Sequence, residues 1–167
     1  MSKKFYLFCA ILICLLATML YFITVKIKAQ PNAAQLPNFT FKTLNGQPFT
    51  QKQLPEKEHH LILYFSPDCH YCTDEMDDII KNKDWFAQCY ILLVSPSSIQ
   101  QLNAYHQYLV NKGIKYQILS DSKYQFSNYF GPANIPTSYL YSRNKQLVKK
   151  FNGGTTAKNI YSFINAK

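Results

Sequence analysis

Two cysteines, Cys69 and Cys72, stand three positions apart just after the apolar run at residues 60–65. This order predicts a buried strand that leads into a helix near Cys69. Residues i and i+3 of a helix share one face, so the two sulfur atoms can meet. The amino terminus of a helix carries partial positive charge, which favours a thiolate over a thiol. The spacing therefore predicts a dithiol that opens and closes as a disulfide.

A zinc site is the structural alternative for this cysteine pair. A structural zinc ion needs four ligands, so two further partners at suitable spacing would be required. His70 points elsewhere if the two cysteines share a helical face. Cys89 lies in an apolar run, where a free cysteine usually acts as a small buried hydrophobe. We therefore expect a redox dithiol with no bound metal and no separate cofactor.

Alternating strand and helix patterns predict an α/β fold. The first predicted element of the fold, before the dithiol, is a short hairpin, for which Asn45-Gly46 favours a type I′ turn. The elements predicted after the dithiol are a strand at 88–94, a helix opening with a capping box at 98–101, a strand at 114–119, a short helical segment to about residue 130, a hairpin at 137–142 and 146–151, and a last helix. Right-handed crossovers predict parallel pairing of the early strands.

The motifs at residues 66–72, at Glu75 and at Ile135-Pro136-Thr137 resemble the thioredoxin superfamily, in particular its TlpA/ResA-like membrane-anchored branch. The resemblance implies a thioredoxin fold, with a central mixed sheet flanked by helices and an amino-terminal β-hairpin extension. It also implies a cis Ile135–Pro136 peptide facing the dithiol. Proline is the residue before which a cis bond is least costly.

Site roles follow from these motifs. Cys69 is the helix-first, exposed sulfur and is expected to attack a substrate disulfide, while the deeper Cys72 resolves the mixed disulfide. Glu75 either complements the helix dipole or, as the resemblance implies, shuttles the proton of Cys72. His70 is either solvent-exposed or tunes the dithiol by stabilising the thiolate. Ile135 and Pro136 are expected to present a backbone edge to the substrate.

Three positions depart from the family pattern. Asp68 stands where the family usually has tryptophan, and Leu63 stands where thioredoxin buries an aspartate. His70 and Tyr71 replace the dipeptides found between the cysteines of thioredoxin and of typical TlpA-like reductants. The last change leaves the direction of the reaction, reduction or oxidation, open.

The amino terminus is predicted to be a separate unit. Residues 5–25 carry no charge, and about 20 apolar residues span a bilayer as a helix. We expect an uncleaved single-pass anchor at residues 1–28, a linker at 29–36 and a thioredoxin-like domain at 37–167. A cleaved signal peptide is the alternative. The resemblance, not the charge pattern, implies that the domain lies outside the cytoplasm.

Charge is unevenly distributed along the chain. The net charge is +9, yet six of the nine acidic residues lie between residues 68 and 84, around the dithiol. One arginine, no nucleic-acid motif and the expected anchor argue against nucleic-acid binding. The expected partners are protein thiols or disulfides near a membrane, together with an upstream thiol electron donor.

The sequence thus predicts a membrane-anchored, extracytoplasmic thiol–disulfide oxidoreductase that reduces protein disulfides. A peroxiredoxin-like peroxidase is the enzymatic alternative, although such enzymes need a threonine where this chain has Ser66. A Sco-like thiol-based copper carrier is the non-enzymatic alternative. Sco proteins separate their cysteines by three residues and add a distal histidine, and neither feature is evident here.

Overall fold

The computed structural model describes residues 3–29 and 34–165 and divides the chain into two units, Met1–Pro31 and Asn32–Lys167. The first unit contains helix α1, Lys3–Ala29. Within the described residues, no helix is sufficiently long and apolar to cross a membrane. The single-pass anchor predicted at residues 1–28 stays a prediction.

The second unit alternates strands and helices. Its strands are β1 (Thr40–Thr43), β2 (Pro48–Thr50), β3 (His59–Tyr64), β4 (Cys89–Ser95), β5 (Tyr116–Ser120), β6 (Thr137–Tyr141) and β7 (Leu147–Asn152). Its helices are α2 (His70–Lys81), α3 (Ile99–Leu109), α4 (Phe126–Phe130) and α5 (Ala157–Ile164). Single 3₁₀ turns cover Gln51–Gln53 and Lys83–Phe86. The element order is the one predicted from the sequence.

The seven strands form one mixed sheet in the order β2-β1-β5-β4-β3-β6-β7. The β3–β4 and β4–β5 pairs are parallel, as predicted, and the other pairs are antiparallel. Strand β3 lies inside the sheet, and Leu61, Ile62 and Leu63 are fully buried. A continuous apolar run suits such a strand because both of its faces are covered.

Two hydrophobic cores cover the two faces of the sheet. Leu61, Leu63 and Phe65 point to the core that contains residues of α2, α3 and α5. Ile62 and Tyr64 point to an aromatic core built with α4 and the amino-terminal hairpin. This division follows from the two-residue side-chain period of a strand. The first core lies beneath the dithiol.

Strand register places the predicted motifs at one edge of the sheet. Tyr64, the last residue of β3, pairs with Val94 near the end of β4 and with Thr137 at the start of β6. The segment that follows β3 leads to Cys69, and the segment that precedes β6 contains Pro136. The sheet therefore brings two motifs that are distant in sequence to a common edge.

One local prediction, the type of the first hairpin turn, is wrong. The hairpin turn is not type I′, which requires positive φ at both central residues. Here Gly46 adopts φ 77° while Asn45 does not have positive φ, and the Gly46 N–H donates to the Thr43 carbonyl at 2.9 Å. One glycine in the left-handed region is enough to close this longer turn.

The predicted linker at 29–36 is partly bonded to the second unit. The Leu36 N–H donates to the Lys145 carbonyl, and the Leu147 N–H donates to the Ala34 carbonyl, both at 2.8 Å. Residues 30–33 lie outside the described part of the chain. The predicted limits of the anchor, the linker and the thioredoxin-like domain all stay predictions.

Candidate active site

Cys69 occupies the residue before helix α2. Its backbone is extended, with φ −89° and ψ 112°, and the helix begins one residue later than predicted, at His70. The Cys69 carbonyl accepts hydrogen bonds from the N–H groups of Cys72 at 3.0 Å and Thr73 at 3.1 Å. Cys69 is half-buried. Cys69 thus stands at the amino-terminal end of α2, partly accessible to solvent.

Cys72 lies one turn into α2 and is fully buried. Burial and, to a smaller extent, a hydrogen bond with Cys69 raise the pKa of its thiol to about 12, although a hydrogen bond with the Ser66 backbone acts in the opposite direction. Both cysteines are free thiols. Cys72 therefore keeps its proton at neutral pH and needs an acceptor before it can act as a nucleophile. This asymmetry agrees with the roles predicted for the two cysteines.

Glu75 is the nearest buried carboxyl to Cys72 along α2 and is only 2% exposed. Its Oε1 accepts a hydrogen bond from the Ser138 hydroxyl at 2.6 Å, and its Oε2 accepts one from the Thr155 N–H at 3.2 Å. Burial nevertheless raises its pKa to about 7. A carboxyl with this pKa exchanges protons readily near neutral pH.

The sequence analysis did not identify Ser138 or Thr155 as site residues. They lie 63 and 80 positions from Glu75. Serine and threonine are too common for either position to stand out alone. The only indirect signal is that Ser138 follows the Ile135-Pro136-Thr137 motif.

The Ile135–Pro136 peptide is cis, as the resemblance implied. Ile135 is partly exposed, and the Pro136 carbonyl accepts a hydrogen bond from the Gly153 N–H at 3.0 Å. Strand β6 starts immediately after this peptide and carries Ser138 to Glu75. The peptide therefore belongs to the same edge of the sheet as the dithiol. Its use by a substrate remains a prediction.

His70 lies on the surface. Its side chain is 83% exposed, and its Nε2 lies 3.2 Å from Oδ2 of Asp74 one turn along α2. This carboxylate offsets any charge that the imidazole gains. Tuning of the dithiol by His70 stays a prediction.

Asp68, at the position where the family usually has tryptophan, links the loop at residues 66–69 to α3 through a hydrogen bond. Its carboxylate accepts a hydrogen bond from the Gln101 side-chain amide. The Asp68 N–H also donates to the Ser66 hydroxyl at 3.3 Å. This position therefore orders the loop before Cys69 through polar contacts, where an aromatic ring would do so by packing.

A groove of about 340 Å³ leads from Glu75 to the surface. It is lined by Tyr71, Asp74, Glu75, Asp78, Gly154, Thr155 and Thr156. A Cβ atom on Gly154 would lie 3.3 Å from the Tyr71 Cβ, so glycine permits the close approach of this loop to α2. The groove gives the buried carboxyl a route for proton exchange with solvent.

The remaining cysteine of the second unit is remote from the dithiol. Cys89 is buried at the start of β4, where it pairs with His59, and burial raises the pKa of its thiol to about 12. The dithiol follows the other end of β3. Among the residues that the structure describes, no group of three or more histidine, cysteine or acidic side chains is arranged to hold a metal ion.

Solved structures similar to this one share its fold. They include a thioredoxin-family thiol:disulfide interchange protein from Chlorobium tepidum (TM-score 0.62, 17% identity, covering 81% of this chain and 97% of that one). A secreted Mycobacterium tuberculosis disulfide oxidoreductase homologous to DsbE has a TM-score of 0.61 at 14% identity, covering 76% and 94%. The peroxidoxin BcpB of M. tuberculosis has a TM-score of 0.66 at 12% identity, covering 81% and 96%.

Sequence comparison identifies the family. A search of curated proteins returns no match. The sequence profile of the AhpC/TSA family matches residues 33–150, which is more than half of the chain. The predicted resemblance to the thioredoxin superfamily is confirmed, and the similar structures are thiol–disulfide oxidoreductases and a peroxidoxin. The chain therefore belongs to the AhpC/TSA family and carries a redoxin domain of thioredoxin fold.

Proposed function

We propose that this redoxin is a thiol–disulfide oxidoreductase that reduces disulfides in polypeptide substrates through Cys69 and Cys72. The observation that carries the proposal is that the two cysteines differ in burial and in the groups beside them. Cys69 is half-buried at a helix amino terminus, and Cys72 is buried beside a carboxyl whose pKa is raised to about 7. An accessible nucleophile, a protected resolving thiol and a proton acceptor are the three parts that disulfide exchange needs.

The first step is attack by the Cys69 thiolate on a substrate disulfide. A bond forms between the Cys69 sulfur and one substrate sulfur, and the other substrate sulfur leaves as a thiolate that takes a proton from solvent. The mixed disulfide places substrate chain beside the exposed Tyr71 ring and the partly exposed Ile135. The backbone before β6 then offers polar groups with which an extended substrate can pair.

The second step releases the substrate. Cys72 gives its proton to the Glu75 carboxylate and attacks the Cys69 sulfur, and the remaining substrate sulfur leaves as a thiolate. The substrate has gained two electrons, and the protein holds a Cys69–Cys72 disulfide. A thiol donor outside this chain restores the dithiol. The pKa of about 7 leaves a large share of Glu75 ionised and able to accept the proton near neutral pH.

Trapping of substrates tests the assigned roles. A Cys72→Ser variant should accumulate mixed disulfides at Cys69, because the second step cannot occur. A Cys69→Ser variant should accumulate none, and Cys89→Ser is the matched control, since that buried thiol lies at the far end of β3. Non-reducing electrophoresis with reduction of insulin as the activity assay gives both readouts. Equal trapping by the Cys69→Ser and Cys72→Ser variants would contradict the proposal.

Peroxide reduction is a second candidate function. The structural similarity to a peroxidoxin and the AhpC/TSA family itself favour it. Ser66 stands where peroxiredoxins need threonine, and its hydroxyl already lies 3.3 Å from the Ser97 hydroxyl and accepts the Asp68 N–H. Peroxide consumption by the wild-type chain at a rate above that of insulin reduction would favour the peroxidase.

Extracytoplasmic location and membrane attachment complete the proposal. The similar M. tuberculosis oxidoreductase is secreted, which supports the location. Attachment rests on the uncharged residues 5–25 alone. Membrane fractions washed with alkaline carbonate should retain the full chain, and protease added to spheroplasts, in which only the inner membrane shields the cytoplasm, should digest its redoxin domain. Release by carbonate, or protection from the protease, would contradict these two parts of the proposal.

A further inference from the structure

Tyr105 of α3 has a buried hydroxyl group without a hydrogen-bond partner among the described residues. The residue is 7% exposed, and its ring packs on Phe65 with centroids 5.1 Å apart. Tyr108, one turn further along the helix, places its own hydroxyl on the Asp77 carboxylate. An unpaired buried hydroxyl destabilises the folded chain, so its retention needs a reason.

The position of Tyr105 suggests that reason. Tyr105 belongs to the same buried cluster as Cys72 and Met76, beneath the dithiol. Phe65, against which its ring packs, immediately precedes Ser66, whose backbone is hydrogen-bonded to Cys72. Burial raises the pKa of Tyr105 above its usual range, so the hydroxyl keeps its proton near neutral pH and is available as a hydrogen-bond donor.

Charges near the dithiol act on this hydroxyl. The titratable groups that face it are Tyr108 on its own helix and Asp77, Cys72 and Glu75 on α2. Those that act on Cys72 are Cys69 and Glu75. A charge that develops on Cys72 therefore interacts electrostatically with the Tyr105 hydroxyl.

We propose that the Tyr105 hydroxyl donates a hydrogen bond to the Cys72 sulfur when that sulfur becomes a thiolate during resolution. The proposal rests on the dithiol function proposed above. In the dithiol form the Cys72 thiol bonds with Cys69, and the tyrosine hydroxyl is unused. Transfer of the Cys72 proton to the Glu75 carboxylate moves the buried negative charge from Glu75 to the Cys72 sulfur, where a neutral donor can stabilise it. Hydrogen bonds to charged groups are about twice as strong as neutral ones.

Tyr105→Phe isolates the hydroxyl with little change in shape. Because it removes an unpaired polar group, the variant should be at least as stable as the wild type in urea unfolding. Resolution by Cys72 should nevertheless become about tenfold slower, which corresponds to about one pKa unit at the Cys72 sulfur. Tyr108→Phe is the matched control, since this hydroxyl is already bonded to Asp77 on the helix surface.

The probe is dithiobis(nitrobenzoate), mixed in a stopped-flow instrument with the fully reduced full-length chain. Every variant also carries Cys9→Ser and Cys14→Ser, because Cys14 is an exposed free thiol that would release colour of its own. Attack by Cys69 releases one coloured thionitrobenzoate and leaves the other bound to Cys69 as a mixed disulfide. Attack by Cys72 on the Cys69 sulfur releases the second and forms the Cys69–Cys72 disulfide. In Tyr105→Phe the first release should be unchanged, and the second should slow, with its pH midpoint about one unit higher.

Three results separate this inference from the proposed function. A second release in Tyr105→Phe at the wild-type rate and pH midpoint would overturn the inference and leave the dithiol function intact. Equal slowing of both releases, or equal slowing in Tyr108→Phe, would also overturn it, because the hydroxyl would then act only on structure. Absence of a second release in the wild type would instead contradict the proposed function.

Discussion

Glu75 is expected to destabilise the folded chain at neutral pH, and a Glu75→Gln variant should remove this effect. Burial raises the pKa of the carboxyl from its ordinary value of 4.5 to about 7. The difference of about 2.5 units (7 − 4.5), at about 1.4 kcal/mol per unit, corresponds to about 3 kcal/mol. Glu75 is deeply buried, so screening by solvent reduces this free-energy difference only slightly.

The direction of this effect on the unfolding free energy depends on whether Glu75 ionises at lower pH in the folded or in the unfolded chain. Below pH 4.5 the carboxyl is protonated in both the folded and the unfolded chain, and the penalty is absent. Between pH 4.5 and about 7 the unfolded chain ionises while the folded chain stays protonated, so the free energy of unfolding falls as pH rises. Above about pH 7 the full penalty of about 3 kcal/mol is present.

The variant side chain cannot ionise. The difference in unfolding free energy between Glu75→Gln and the wild type should therefore grow by about 3 kcal/mol from pH 4.5 to about pH 8, in favour of the variant. The amide nitrogen cannot accept the Thr155 N–H, so one hydrogen bond is lost. That loss is the same at every pH. It therefore shifts the plot of unfolding free energy against pH without changing its slope.

Urea unfolding at a series of pH values measures this difference. Asp74→Asn is the matched control, because that acid is the preceding residue of the same helix and is 58% exposed, and its difference from the wild type should vary little with pH. Insulin reduction by Glu75→Gln should fall about 100-fold, since the proton acceptor is gone. A stability difference that does not change with pH would refute the raised pKa and, with it, the assignment of Glu75 as proton acceptor.

Three further outcomes are expected. His70→Ala should lower the reduction potential of the dithiol by less than about 30 mV, measured against a glutathione series, because the imidazole is exposed and paired with Asp74. His60 is fully buried and burial lowers its pKa, so the free energy of unfolding should fall as pH drops below 6.5, and His60→Gln should lack that part of the fall in urea unfolding. Asp78→Ala should destabilise the chain by about 1 kcal/mol in the same assay, because the carboxylate accepts the Ala157 N–H at the start of α5.

Each of these expectations has a contrary result. A potential change well above about 30 mV in His70→Ala would mean that the imidazole acts on Cys69 despite its exposure. Identical acid sensitivity in His60→Gln and the wild type would mean that this histidine is protonated in the folded chain. An unchanged stability in Asp78→Ala would mean that water replaces the carboxylate at the amino end of α5.

Local patterns in the sequence were sufficient for the secondary structure around the dithiol. The apolar run at residues 60–65 predicted an inner strand, and the cysteine spacing predicted a helix start within one residue of the observed one. Such patterns work because strand and helix periods decide which side chains share a face. The hairpin turn was predicted wrongly, since a dipeptide does not specify how many of its residues take positive φ.

The chemistry of the site depends on contacts that local patterns do not contain. Glu75 could be named from its spacing, yet its pKa of about 7 arises because distant residues cover it. Ser138 and Thr155, its hydrogen-bond donors, come from beyond α3 and β5. The unpaired hydroxyl of Tyr105 likewise becomes visible only when α3 packs beside α2.

From the amino-acid sequence alone one could name the residues proposed for the sulfur chemistry, the order of strands and helices around them, and the superfamily that the chain resembles. Cysteine spacing, apolar periodicity and the proline motif are short-range features, so they can be recognised without a structure. The environment of each group could be obtained only from the folded chain. Desolvation and hydrogen bonding depend on what surrounds an atom, and at Cys72 and Glu75 the surroundings are assembled by the sheet and helices from segments far apart in the chain.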